Sequence, residues 1–125
     1  METDIMDKLQ AYHSFWSGFG LKAYETTSVP DNAVMPYITY ESSDDDFGNT
    51  LALSASVWYW SSSWTDCIAK VKQIANAIGR GGKMVKYDGG AFWIKKGTPW
   101  ANRLNTEDND SVRRIIMNLE LEFID

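Results

Sequence analysis

Apolar residues recur at helical spacing in two segments of the chain. From Asp4 to Ser17 they fall every three or four residues and form one stripe of an amphipathic helix. The same spacing returns between Trp64 and Ile78, where Ser63 is placed to act as the N-cap and Gly79 as the stop. The sequence therefore predicts two helices, each with one apolar face.

The remaining apolar segments have strand character. Alternating, β-branched or aromatic residues predict six strands: Leu21–Tyr24, Tyr37–Tyr40, Thr50–Ser61, Lys83–Tyr87, Gly90–Lys95 and a last strand through Ile115 and Phe123. Asp88-Gly89 supplies the tight hairpin turn between the fourth and the fifth strand. Lys96–Asp110, with its glycine and proline, is predicted to be a long loop.

The strand that begins at Thr50 has two unlike faces. Alternation places Leu51, Leu53, Ala55, Val57 and Tyr59 on the core face. The other face is small and polar apart from Trp58 and Trp60, which therefore need a cover. That cover is a helix end, a loop or another subunit.

The order of elements, α-β-β-β-α-β-β-β, predicts the fold class. One apolar face per helix and per strand favours an α+β fold: a mainly antiparallel sheet with both amphipathic helices packed on one face. No linker or repeat divides the sequence, so residues 1–125 are expected to form a single domain.

Charge and composition narrow the function. Twelve basic and seventeen acidic residues among 125 give a net charge of −5, which argues against sequence-specific binding of nucleic acid through phosphate contacts. No apolar run approaches the ~18 residues of a membrane span, so no membrane partner is expected. One cysteine, Cys67, and one histidine, His13, cannot make a zinc site, and no spacing suggests that they meet as a catalytic pair. We therefore expect no catalytic residues, no metal and no cofactor.

Two loops invite a chemical interpretation that their context does not favour. Gly79–Lys83 superficially resembles a phosphate-binding loop, but it leaves a helix C-terminus instead of entering a helix N-terminus, so it is a helix stop. Asp44, Asp45 and Asp46 form an acidic turn without the ligand spacing of a calcium loop. The turn is either simply solvated or a functional charge that would repel DNA.

Tryptophan and arginine mark the candidate contact surface. Trp100 follows Pro99 in the predicted loop, close to Arg103, and such residues are typical of protein–protein contacts. Arg113 and Arg114 begin the last strand, and alternation sends them to opposite faces, so at most one should share a surface with the loop. With Trp58 and Trp60, these residues fit either a subunit interface or an aromatic ligand cleft, and the negative charge favours the interface.

Three segments, in this order, resemble a known family. They are Pro36-Tyr37-Ile38-Thr39-Tyr40, then Lys96-Gly97-Thr98-Pro99-Trp100-Ala101-Asn102-Arg103 after a hairpin, and Asp110-Ser111-Val112-Arg113-Arg114-Ile115-Ile116-Met117-Asn118-Leu119 at the end. The combination, which spans nearly the whole chain, resembles the tail terminator (tail completion, or minor tail) proteins of long-tailed bacteriophages and prophages.

The resemblance implies a structural protein and not an enzyme. Such proteins form a hexameric ring at the head-proximal end of the tail. The ring caps the tube built from the tail tube protein and joins it to the head–tail connector protein. The virion is assembled in the bacterial cytoplasm. In such a ring the turn of Asp44, Asp45 and Asp46 is a candidate lumen-facing loop. Two alternatives remain: a neck or head-completion protein of the same particle, and a monomeric domain that stacks a ligand such as a sugar on Trp58, Trp60 and Trp100.

Overall fold

The computed structural model describes residues 2–42, 50–104 and 111–124. These residues contain two α-helices, α1 and α2, one 3₁₀ turn and six strands, β1 to β6, in the predicted order. In chain order the elements are α1 Glu2–Ser17, β1 Lys22–Glu25, the 3₁₀ turn Thr26–Ser28, β2 Tyr37–Tyr40, β3 Thr50–Trp60, α2 Thr65–Ile78, β4 Lys83–Tyr87, β5 Gly90–Leu104 and β6 Val112–Ile124.

The six strands form one sheet in the order β1-β2-β3-β6-β5-β4. The pair β1–β2 is parallel and every other neighbouring pair is antiparallel. The longest regular pairing joins β3 to β6, from Thr50 opposite Glu122 to Trp60 opposite Val112. This topology confirms the predicted α+β fold with a mainly antiparallel sheet.

Both helices pack on the same face of this sheet. Side chains from α1, α2 and alternate strand positions form one apolar cluster. Its fully buried members are Trp16, Ile38, Val57, Cys67, Ile74, Ile78, Phe92, Ile94, Met117, Leu119 and Leu121. Burying each large apolar side chain contributes about 1.5–3 kcal/mol. Ala55 and Val57 are buried as alternation along β3 predicts, with Leu53 and Tyr59 packed against the cluster.

The sheet curls around α1. This helix contacts both β1 and β4, the two edge strands of the sheet. Five strand spacings would separate these edges by about 24 Å in a flat sheet, about twice the width of a helix. Tyr12 shows the same curvature, because its ring lies 5.5 Å from that of Tyr40 on β2 and 5.8 Å from that of Phe92 on β5.

The prediction of a loop from Lys96 onward is wrong for Lys96–Leu104, which continue β5. Pairing with β6 is regular up to Lys96 opposite Leu119 and resumes at Ala101 opposite Met117, so four residues of β5 stand opposite Asn118 alone. This irregularity accommodates a proline, which lacks the N–H that a regular ladder requires. The Asn118 side-chain amide donates a hydrogen bond to the Pro99 carbonyl at 2.9 Å. Residues 105–110 of the predicted loop lie outside the described residues.

Of the two predicted boundaries of α2, the start is wrong by one residue and the end is confirmed. The N-cap position is Trp64, in helical conformation and without a side-chain cap, so the placement of Ser63 there is wrong by one residue. Ser63 still contributes, because its Oγ accepts a hydrogen bond from the Thr65 N–H at 3.1 Å. The stop at Gly79 is confirmed: its φ is +79° and its N–H donates to the Ala75 carbonyl.

Candidate interaction surface

Trp58 lies on the sheet face turned away from the helices, as alternation predicts, and it is covered from within the chain. The Arg114 guanidinium stands over its ring at 4.3 Å, and the Tyr37 ring is 6.1 Å away. The indole N–H donates to Thr39 Oγ1 at 2.9 Å. These contacts fix the ring in place and leave it only part of its surface for a partner.

A row of aromatic side chains extends from Trp58 to the edge of the sheet. Tyr37 contacts Trp58 on one side and, at 5.8 Å, the ring of Tyr24 on β1 on the other. Sequence reasoning missed both tyrosines, although alternation along β2 places Tyr37 opposite in orientation to the buried Ile38. The row places three neighbouring aromatic rings on the face of the sheet turned away from the helices.

The positively charged guanidinium of Arg114 lies against this row of aromatic side chains, over the Trp58 ring. Its Nε donates to Ser56 Oγ at 3.0 Å, and Ser56 is itself buried. Burial of the guanidinium lowers the pKa of Arg114 from its ordinary value. Arginine nevertheless keeps its charge at neutral pH because its ordinary pKa is so high.

A second tryptophan–arginine group lies on the helix side, at the same end of the sheet. Trp64 is flanked by Arg103 and Arg113, whose guanidinium carbons lie 5.2 Å and 5.3 Å from the ring centroid. Arg113 also donates to the carbonyls of Ser62 and Val112. Sequence reasoning missed Trp64 as the shared partner of these arginines, because the three residues come from separate elements.

The structure thus brings five of the seven predicted contact residues to one end of the sheet. Arg113 and Arg114 lie on opposite faces of the sheet, as predicted, and both lie at this end of it. We call this surface the arginine–tryptophan end; its residues are Trp58, Trp60, Trp64, Arg103, Arg113 and Arg114. Trp60 is its most prominent apolar group, with 63% of its surface exposed.

Pro99 and Trp100 lie elsewhere, at the irregularity of β5. Trp100 packs in part against the core cluster and borders an open groove of about 620 Å³. Arg80, Lys95 and Lys96 line the same groove. Trp100 and Arg103 are therefore close in sequence but have different neighbours: Trp100 borders this groove, whereas Arg103 contacts Trp64. An interface role for Trp100 stays a prediction.

The residues considered for catalysis have separate, structural surroundings. His13 Nδ1 hydrogen-bonds the Tyr40 hydroxyl at 2.7 Å, and the Ser17 hydroxyl lies 3.2 Å from Nε2. Cys67 lies on the buried face of α2, and its Sγ approaches the Val57 carbonyl. Burial raises the pKa of this thiol to about 11, so it is a poor nucleophile at neutral pH.

Two further sequence-based questions concern metals and membranes. Over residues 2–42, 50–104 and 111–124, no group of three or more His, Cys, Asp or Glu side chains has the arrangement of a metal site. Within the same ranges no helix combines the length and the apolar character needed to cross a membrane. The acidic turn of Asp44, Asp45 and Asp46 lies outside the described residues.

Among solved structures, a chain of the virion of the native gene transfer agent (GTA) particle has a similar fold. The TM-score is 0.53, and the match covers 97% of this chain and 92% of that chain at 16% sequence identity. No protein-family model and no curated protein matches the sequence. At this identity the similarity establishes the shared fold, and function has to be argued from the surface that the fold presents.

Proposed function

We propose that this protein is a structural component of a virion, and specifically the tail terminator of a phage-type tail. The observation that carries the proposal is the fold shared with a GTA virion chain over nearly the full length of both chains. The resemblance of the Pro36–Tyr40, Lys96–Arg103 and Asp110–Leu119 segments to tail terminators supports it independently. In this role six copies form a ring that ends the tail tube and joins it to the head-side connector.

The arginine–tryptophan end supports a role in assembly. Exposed tryptophan and arginine side chains provide most of the binding energy at many protein interfaces. Here Trp60 is 63% exposed, while Trp58 and Trp64 are held in fixed positions by the arginines beside them. A surface fixed in this way loses little side-chain entropy when a partner binds.

A ligand-binding role is less well supported. A sugar site needs aromatic rings that present free faces on one platform. Arg114 covers one face of the Trp58 ring at 4.3 Å, and Trp100 lies at the irregularity of β5, packed in part on the core. The three tryptophans therefore do not form a common platform.

The proposed role needs no catalytic group, and it places the protein at the head-proximal end of the tail after assembly in the bacterial cytoplasm. DNA would pass through the lumen of the ring without being bound. A negative charge at the lumen, such as Asp44, Asp45 and Asp46 would supply, keeps passing DNA from adhering.

Deletion of the coding sequence in the bacterium that produces the particle, followed by electron microscopy of the lysate, tests this proposal. Without a terminator, tail tubes should grow beyond their normal length and remain unattached to heads. Complementation with the intact coding sequence should restore joined particles of normal tail length. Tails of normal length beside emptied heads would indicate a neck or head-completion protein instead, and unchanged particles would refute a structural role.

A further inference from the structure

Positive charge gathers at one end of the sheet, on Arg103, Arg113 and Arg114. Within the described ranges, Arg103, Arg113 and Arg114 contact tryptophan rings, backbone carbonyls and the Ser56 hydroxyl. None of these contacts neutralises a guanidinium. A partner with carboxylates would therefore gain charge-assisted hydrogen bonds here, next to the exposed indole of Trp60.

Negative charge gathers at the other end of the sheet, on the face that carries Arg114. Along β6 the outward positions run from Arg114 through Ile116 and Asn118 to Glu120 and Glu122, and both glutamates are exposed. Lys95 on β5 stands opposite Glu120 and offsets part of this charge. We call Glu120 and Glu122 the acidic end of β6.

The two ends cannot meet within one chain. Eight residues of extended strand separate Arg114 from Glu122, which is about 27 Å. Opposite charges at that distance are screened from one another at physiological salt. Among the residues that the structure describes, neither end therefore neutralises the other, and each can pair with a complementary surface on another molecule.

We propose that the arginine–tryptophan end of one copy binds the acidic end of β6 in a second copy. The two surfaces are different patches of the same chain, so the contact is head-to-tail and not a two-fold contact of a patch with itself. Head-to-tail contacts close into a ring when the rotation between copies allows it. The inference rests on the proposed ring and assigns the residues that join its subunits.

Charge reversal tests this contact in purified protein. One variant carries Arg103→Glu with Arg114→Glu, and the other carries Glu120→Lys with Glu122→Lys. Light scattering and analytical ultracentrifugation then measure self-association from micromolar to near-millimolar concentration at low salt. Lys72→Glu, which reverses one positive charge on the exposed side of α2, serves as the control for charge reversal as such.

We expect the wild type and the Lys72→Glu control to associate equally. Either reversed variant alone should associate at least about tenfold more weakly, and an equimolar mixture of the two should regain the association. If the first variant melts well below the wild type, Arg103→Glu alone replaces it, because the Arg103 side chain is exposed and its loss leaves Trp58 covered.

Three results would overturn the proposed contact. They are a reversed variant that associates like the wild type, a mixture that fails to regain association, and a wild type that stays monomeric throughout the concentration range. Each rejects this interface without rejecting a terminator role, because the particles seen after gene deletion decide that role separately.

Discussion

Cys67 packs between α2 and the sheet, where its role is structural and not that of a reactive thiol. The side chain is fully buried, with its sulfur 3.7 Å from the Val57 carbonyl and 3.9 Å from that of Arg113. Desolvation raises the pKa of the thiol to about 11, because a thiolate would lose its hydration there. The neutral thiol is thus the form that suits the folded state.

This pKa predicts a loss of stability in alkaline solution. The unfolded thiol titrates near its ordinary pKa of about 8.5, so the thiol's contribution is complete below that pH. It declines as the pH rises toward about 11, where the folded thiol ionises. Urea unfolding at intervals between these values should show the free energy of unfolding falling more steeply for the wild type than for Cys67→Ala.

The alanine variant also controls for other alkaline titrations. Burial raises the pKa values of Tyr40 and Tyr59 as well, and both tyrosines remain in the variant. The contribution of Tyr40 therefore cancels in the comparison, whereas that of Tyr59 cancels only in part, because Cys67 is one of the groups that raise the pKa of Tyr59. Parallel pH profiles for the two proteins would show that Cys67 does not titrate as its burial requires.

At the scale of elements, the connection between α2 and β4 depends on one glycine more than on its neighbour. Gly82 has a φ of +93°, and a Cβ there would meet the Trp93 indole nitrogen, the Ile94 carbonyl oxygen at 2.8 Å and the Lys95 side chain at 2.9 Å. Gly81 has open space around its Cα. The Trp93 indole donates to the Gly81 carbonyl at 3.0 Å and fastens this connection to β5.

Gly82→Ala should therefore destabilise the protein by about 2 kcal/mol or more, since it combines left-handed backbone strain with a steric clash. Gly81→Ala, one residue away, should change the free energy of unfolding by no more than about 0.5 kcal/mol. Thermal and urea unfolding of both variants measure the difference. Equal losses would mean that the close approach of Gly82 to Trp93 and Ile94 does not control this connection.

The elements most visible in the sequence were those set by local periodicity. Both helices, the hairpin at Asp88-Gly89 and the two faces of β3 follow from spacing alone, and the structure shows them where predicted. The continuation of β5 past Lys96 was not visible, because Gly97 and Pro99 are ordinary loop signals. The renewed pairing with β6, from Ala101 opposite Met117 to Leu104 opposite Arg114, keeps that segment in the sheet, together with the Asn118 amide opposite the irregularity.

The candidate surface was visible only in part for a related reason. Residue type pointed to Trp58, Trp60 and the arginines, but their grouping depends on long-range strand pairing. Trp58 lies directly opposite Arg114 on β6, a partner 56 positions further along the chain. Alternation along a strand predicts the face of the sheet on which a side chain lies. Its neighbours on that face depend on the register between strands that are distant in sequence.

At the scale of the whole molecule, charge is unevenly distributed. The net charge is −5, yet three arginines lie together at the arginine–tryptophan end and two exposed glutamates lie at the acidic end of β6. The net negative charge of such a molecule repels DNA, which is uniformly negative, whereas its charged patches can attract a protein surface of complementary charge. The charge distribution therefore predicts whether the protein binds DNA or only lets it pass.

We expect the purified protein to show no appreciable binding to duplex DNA at physiological salt. The arginine–tryptophan end offers only three cations, and contact with three phosphates would give a salt dependence with a slope of about −3, too little to overcome repulsion from the remaining negative surface. Fluorescence anisotropy of a short labelled duplex, titrated with protein from low to physiological salt, measures this directly. Arg103→Glu with Arg114→Glu is the matched control, because it removes the one concentration of positive charge identified at this end of the sheet. Micromolar binding that persists at physiological salt and disappears in this variant would show that the arginine–tryptophan end contacts DNA. It would contradict the proposal that DNA passes through the ring without being bound.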